Sequence, residues 1–195
     1  LPTAQKLEWI RDAHEAGLRE IEGGAFVPPK LLPQLADTAE LVAYAKTLPS
    51  LVVSVLVPNL KGAERAMDSG ADWMLLPLSA SQAHSRANLR KSPDDVVAEI
   101  GAMVDARRAR GSSIRIEVGL STALGCTIQG DVDTQEVLRL LRAVLALGVD
   151  RVSLADTVGY ADPRQVGELF TRAREVAGDK LDAAHFHDTR GLGIA

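Results

Sequence analysis

His185 and His187 stand two residues apart in Ala183-Ala184-His185-Phe186-His187-Asp188-Thr189, at the end of an apolar run. Side chains alternate along an extended strand, so both imidazoles fall on one face with Cα atoms roughly 6.5–7 Å apart, within reach of one divalent metal ion. Two histidines that merely hydrogen-bond to their neighbours are the plainer alternative. The acid and the glycine-rich turn that follow at once, through Asp188 and Gly191, favour ligation. Two carboxylates also stand at expected strand ends. Asp156 follows Val152-Ser153-Leu154-Ala155, where a buried acid needs a charged partner such as a metal, unless it caps the turn before Gly159. Glu22 ends an earlier run, and its alternative is a surface salt bridge.

The elements that must position these groups alternate. Short β-branched runs separate longer helical patterns, the signature of repeated βα units around a parallel sheet. A helix from Thr3 to Ala16, with Thr3 as candidate N-cap and Gly17 as its stop, precedes a strand at Leu18–Glu22. A helix at Leu35–Lys46 leads to a strand at Leu51–Val57, whose continuous apolar run suits burial on both faces. Then come a helix at Leu60–Ser69, a strand at Trp73–Leu78, and a long helix opened by Ser92-Pro93-Asp94-Asp95 and running to Arg110. Strand Ile114–Leu120 is followed by a helix from Asp133 with Val137, Leu138, Leu141, Val144 and Leu145 as its apolar face, ended by Gly148. Strand Arg151–Leu154, a helix from Asp162-Pro163 with Val166, Leu169, Phe170 and Ala173 inward, and strand Leu181–Phe186 complete the series.

Six strands in this pattern predict an α/β fold, a (β/α)8 TIM barrel. Such a barrel takes about 250 residues, so the 195 residues are expected to cover about six of the eight strands. The expectation is one catalytic barrel domain, residues 1–195, incomplete at both ends. A doubly wound open sheet competes, but no G-x-G-x-x-G follows the first strand. In the barrel, strand C-termini converge on one mouth. The residues there would be Glu22, Pro58-Asn59, Ser79-Ala80-Ser81, Ser121-Thr122, Asp156-Thr157, and His185 with His187.

A content of 46% hydrophobic and 25% charged residues suffices for a sizeable core. The net charge of −4, without a basic run or stripe, argues against a nucleic-acid partner. No apolar run approaches the ~20 residues that span a bilayer, and no charged-then-apolar leader opens the chain, so no membrane partner is expected. Cys126 is alone, which fits a reducing compartment such as the cytoplasm.

At these residues the chain resembles the 3-hydroxy-3-methylglutaryl-CoA lyase family, within a superfamily of metal-dependent lyases and synthases built on the (β/α)8 barrel. The likeness spans nearly the whole chain. It runs through Gly17-Leu18 to Glu22, Phe26-Val27-Pro28-Pro29-Lys30, Pro33-Gln34-Leu35-Ala36-Asp37 and Pro58-Asn59-Leu60-Lys61-Gly62. It continues in Ser121 to Cys126, Ser153 to Gly159, and His185 to Gly191. The H-x-H-D motif is shared across the superfamily, whereas the F-V-x-P-K and P-N-L-K-G segments point to the lyase branch.

The resemblance implies that His185 and His187 ligate Mg2+ or Mn2+, that Asp156 acts at the substrate hydroxyl, and that Glu22 lies behind the metal's ligands. It implies three further elements outside these residues: an Arg-Asp pair supplying another ligand, a catalytic cysteine on a glycine-rich loop, and an asparagine. Cys126 matches a different family position; its sequence neighbours supply no histidine or cation to activate it, and an inert thiol is expected. Lys30 and Lys61 are either contacts to the CoA phosphates or solvated lysines. Gly23-Gly24-Ala25 and Thr127-Ile128-Gln129-Gly130 depart from the family pattern and would enlarge or repolarise the acyl pocket.

The implied reaction is a retro-Claisen cleavage of 3-hydroxy-3-methylglutaryl-CoA, or a close 3-hydroxy-3-alkylglutaryl-CoA, to acetyl-CoA and acetoacetate, a step of leucine degradation. The partner is then an acyl-CoA, and a homo-oligomer, dimer or tetramer, is expected. An acetyl-CoA-dependent synthase of the isopropylmalate-synthase type and an inactive metal-binding barrel stay open.

Overall fold

The computed structural model describes residues 1–194. Its contacts gather into two compact units, Leu1–Leu76 with Asp105–Ile116, and a second from Pro77 to Val104 and from Glu117 onward. Strands β3 (Trp73–Ser79) and β4 (Arg115–Ser121) and helix α5 (Pro93–Ala109) contribute residues to both.

The first unit begins with α1 (Thr3–Glu15), β1 (Glu20–Ala25), α2 (Thr38–Ala45), β2 (Val52–Leu56) and α3 (Leu60–Ser69). Strand β1 pairs in parallel with β2, and β2 with the start of β3. Pro2, not Thr3, occupies the N-cap of α1 and makes no side-chain cap. The Thr3 hydroxyl instead donates to Asp37, 2.9 Å away, which also receives Lys6. In β2 the burial alternates, with Val53 and Val55 fully buried and Val52, Ser54 and Leu56 half-buried, so only one face meets a helix layer. Helix α3 starts on Asn59, whose Oδ1 accepts from Gly62 N at 2.9 Å, and stops at Gly70 in the left-handed region. A Cβ on Gly62 would lie 2.7 Å from the carbonyl of buried Phe26. The two segments that point to the lyase branch are therefore one packing contact, in which a glycine lets helix and loop backbones meet.

The second unit holds the end of β3, then α4 (Gln82–Leu89), most of α5 and β4, α6 (Thr134–Ala146), β5 (Arg151–Asp156), α7 (Pro163–Ala177) and β6 (Leu181–Phe186). Strands β4, β5 and β6 pair in parallel in sequence order. Helix α4 has no counterpart in the sequence pattern: Ser81 caps it through a bond from His84 N, but its polar eight residues carry no apolar stripe. Asp133 caps α6, and Asp162 with Gln165 forms a reciprocal capping box at α7. Val137, Leu138, Leu141 and Val144 of α6 and Leu169 and Ala173 of α7 are buried as the periodicity predicts, joined by Leu140. They cover Val118, Leu120, Val152 and Leu154, each fully buried on one sheet face. Among the described residues no helix is long and apolar enough to cross a membrane.

Candidate metal centre

Partners in a parallel ladder share a face. In the second unit Gly119 pairs with Ser153, Ser153 with Ala183, and Ala155 with His185, which defines the face away from α6 and α7. Leu120, Leu154 and Ala184 form a row of the opposite face, with Asp156 and Phe186 beyond it. Phe186 stacks near Phe170 of α7, ring centroids 6.2 Å apart.

His185 and His187 project from the end of β6 with ring centroids 5.0 Å apart, both exposed. Two imidazoles this close, on one side of one strand, suit two adjacent positions around a divalent ion. Among the described residues no group of three or more His, Cys, Asp or Glu is arranged to hold a metal.

Asp156 is separated from that pair. Its register partner is Phe186, which sets its side chain on the helix-facing side, and it is 3% exposed. Its carboxylate accepts from Tyr160 N at 3.1 Å and Ala161 N at 3.0 Å. The buried carboxylate thus has loop amides as partners, which is the geometry of the turn-capping alternative. The same residue still reaches the histidines through its backbone, since its carbonyl accepts from both Gly159 N and His187 N at 3.3 Å. Gly159 adopts φ +67°, and a Cβ there would lie 2.5 Å from the His187 carbonyl and 2.6 Å from Thr189 Oγ1. The loop after β5 thus forms a bracket on which the His187–Thr189 backbone rests.

Glu22 belongs to the first unit, exposed on β1 opposite Ser54, beside an apolar groove lined by Trp9, Ile10, Ile21 and Leu41. The glycines after it are demanded by packing: a Cβ on Gly24 would lie 2.7 Å from Thr38 Oγ1, and one on Gly23 3.2 Å from Val53. They permit this close approach and also line the groove.

Cys126 is buried and organises a turn. Its N–H and C=O pair with Gly130, and its sulfur accepts from Ile128 N and Gln129 N at 3.4 Å. Burial pushes the thiol up, but hydrogen bonds from Ser81 and from the Gln129 and Ile128 amides outweigh it and hold the thiol below its usual value. Those backbone donors are invisible in residue types, and the thiol is still sealed from solvent at 1% exposure.

Two arrangements among the strand-end residues are not evident from the sequence. Thr122, fully buried, sits at φ +55°, a costly conformation for a β-branched residue, and is clamped by bonds to Ser81 N, Ser121 O and Thr157. Beside it, Ser79 Oγ lies 2.6 Å from His84 Nδ1 and 3.0 Å from Ser121 Oγ. The link from a strand end to a helix's first turn follows neither a strand nor a helix period; only the Ser81-x-x-His84 capping spacing hints at it.

The HMGL-like family model matches residues 1–195. The chain belongs to the HMGL-like family. A Pseudomonas aeruginosa relative named 3-hydroxy-3-isohexenylglutaryl-CoA/hydroxy-methylglutaryl-CoA lyase is 36% identical over 100% of this chain and 64% of its own length. The crystal structure of hydroxymethylglutaryl-CoA lyase from Pseudomonas aeruginosa superposes with a TM-score of 0.92 at 34% identity, over 100% of this chain and 64% of that one. A structure of an HMG-CoA lyase from Acinetobacter baumannii in complex with coenzyme A and 3-methylmalate gives 0.90 at 34% identity, over 99% and 62%. The chain thus spans somewhat under two thirds of the length of these relatives. This HMGL-like chain has the α/β fold expected, six consecutive strands of a (β/α)8 barrel.

Proposed function

We propose that this HMGL-like chain forms part of the catalytic domain of a divalent-metal-dependent carbon–carbon lyase. Its substrate is 3-hydroxy-3-methylglutaryl-CoA or a close 3-hydroxy-3-alkylglutaryl-CoA, cleaved to acetyl-CoA and acetoacetate in the methyl case. The observation that carries the reading is the His185–His187 pair on one side of a strand end, seated on the bracket of residues 156–161.

His185 and His187 would hold Mg2+ or Mn2+, and a bound ion would act as a Lewis acid that lowers the pKa of the substrate's tertiary hydroxyl. The bracket fixes the backbone of His187 and so the point from which its imidazole projects. In the retro-Claisen step the hydroxyl loses its proton, the bond between the carbinol carbon and the thioester's α-carbon breaks, and its electron pair becomes the acetyl-CoA enolate. Asp156 was the proton acceptor read from the sequence. Its amide partners support a positioning role, in which it holds the loop and the His187 N–H, and a role as base requires its carboxylate to leave them. Glu22 is kept as a carboxylate supporting the metal site. A homo-oligomer, a cytoplasmic location, consistent with one unpaired cysteine, and a place in leucine degradation complete the reading.

Coupled detection of acetoacetate from 3-hydroxy-3-methylglutaryl-CoA, with the full-length protein and Mg2+ or Mn2+, tests it. Metal-dependent release of acetoacetate and acetyl-CoA in equal amounts is expected. Consumption of acetyl-CoA with a keto acid, and no cleavage, would favour a synthase.

A further inference from the structure

We propose that Ser79, His84 and Ser121 form the wall that reads the 3-alkyl substituent of the substrate and restricts this enzyme to short ones; the inference rests on the lyase reading above. Ser121 follows Leu120, which pairs with Leu154, so Ser121 lies level with Ala155 and on its face. Ala155 is the register partner of His185. Ser121 and His185 therefore share one face at one level, two strand spacings or about 10 Å apart. Ser79, 2% exposed, extends the row by one strand and bonds both Ser121 Oγ and His84 Nδ1.

His84 is held at its ring and at its backbone. Ser79 takes Nδ1, and the backbone N–H of His84 donates to Ser81 Oγ, which in turn donates to Gln129 Oε1 at 2.9 Å. Gln129 also accepts from Ala83 N at 3.3 Å, so the first turn of α4 is pinned to the loop that carries Cys126. Nε2 has no partner among the described residues, and the ring is half-buried. A fixed imidazole thus offers one unfilled hydrogen-bonding position beside two serine hydroxyls.

This wall meets different substrates differently. A methyl group on a carbinol carbon held at the histidine pair stops well short of a surface about 10 Å away, and Nε2 keeps its water. A long apolar branch lying along the face would cover Nε2 while giving it nothing to bond, whereas the serine hydroxyls stay paired with each other and with Nδ1. Leaving that one ring nitrogen desolvated and unpaired discriminates by roughly ten- to hundredfold.

The test compares kcat/KM of the full-length protein for 3-hydroxy-3-methylglutaryl-CoA and 3-hydroxy-3-isohexenylglutaryl-CoA, in wild type, His84→Leu and His84→Gln. Wild type should favour the methyl substrate by at least about tenfold. His84→Leu should move the ratio toward the long substrate by about tenfold or more, and His84→Gln, which keeps a polar head, should hold it within about threefold. Cleavage of both substrates with the same ratio in wild type and in both variants would overturn the proposal and leave the lyase reading standing. Cleavage of neither by metal-loaded wild type would overturn both. Should His84→Leu not fold, Ser79→Ala, which removes the bond to Nδ1, is expected to loosen the ratio in the same direction, and an unchanged ratio there would count against the wall.

Discussion

Gly159→Ala adds one carbon where the bracket touches His187. The new Cβ would start 2.5 Å from the His187 carbonyl oxygen, 2.6 Å from Thr189 Oγ1 and 2.7 Å from Thr189 Cβ. Two costs follow. Alanine at φ +67° pays about 1–2 kcal/mol for the left-handed conformation alone. The contact with a backbone carbonyl cannot be relieved by a rotamer change, so the loop or the His187 backbone must shift by roughly 1 Å to reach ordinary van der Waals separation. Displacing a supporting contact of a metal ligand costs about 10- to 100-fold in affinity. The expected outcome is a full-length protein that folds with a lowered Tm and binds Mn2+, measured by equilibrium titration, about 10- to 100-fold more weakly. Gly167→Ala is the control, since a Cβ there meets nothing within 4 Å. Wild-type Mn2+ affinity in a folded Gly159→Ala protein would refute the view that this loop seats the histidines.

Three further outcomes are expected. Asp156→Asn keeps one acceptor but turns an N–H toward an N–H, so stability should fall by about 1.5–3 kcal/mol and turnover by roughly 10²-fold, with the pH profile unchanged in shape; loss of the acidic limb at full stability would restore Asp156 as the base. Cys126→Ala should cost up to about 1–2 kcal/mol with turnover within a few-fold, and a 10³-fold loss in a folded, metal-loaded variant would place the thiol in the reaction. Burial works to raise the Asp37 carboxyl, but the bonds from Lys6 and Thr3 prevail and hold it below the usual carboxylate range. A folded-state pKa below the unfolded one means its stabilisation is present above about pH 3.9 and is lost as pH falls through the depressed value. Asp37→Asn should therefore lower Tm at pH 7, and the difference from wild type should close in acid.

The strands, the large helices and their inward faces were legible because each rests on a local signal: β-branched runs, a 3.6-residue stripe on α6 and α7, and helix starts at Asp133 and Asp162. The paired histidines were legible for the same reason, since a strand's period of two places them on one face. Glu22 could be placed at a strand, yet β1 runs on to Ala25 because Gly23 and Gly24 continue it into a bulge that no propensity signals. The side on which Asp156 falls was not legible. It depends on pairing with Phe186 and on two amides donated from four and five residues ahead, both tertiary facts. Helix α4 escaped notice because it is held by Ser81 and Gln129 and not by an apolar stripe, and with it went His84.

Metal content measures the central claim most directly. Full-length wild type and a His185→Ala/His187→Ala double variant should be loaded with Mn2+, dialysed, and assayed by elemental analysis beside a circular dichroism check of the fold. Wild type should retain close to one ion per chain and the folded double variant almost none. Retention of one ion per chain by the double variant would contradict the assignment of these histidines and the function built on it.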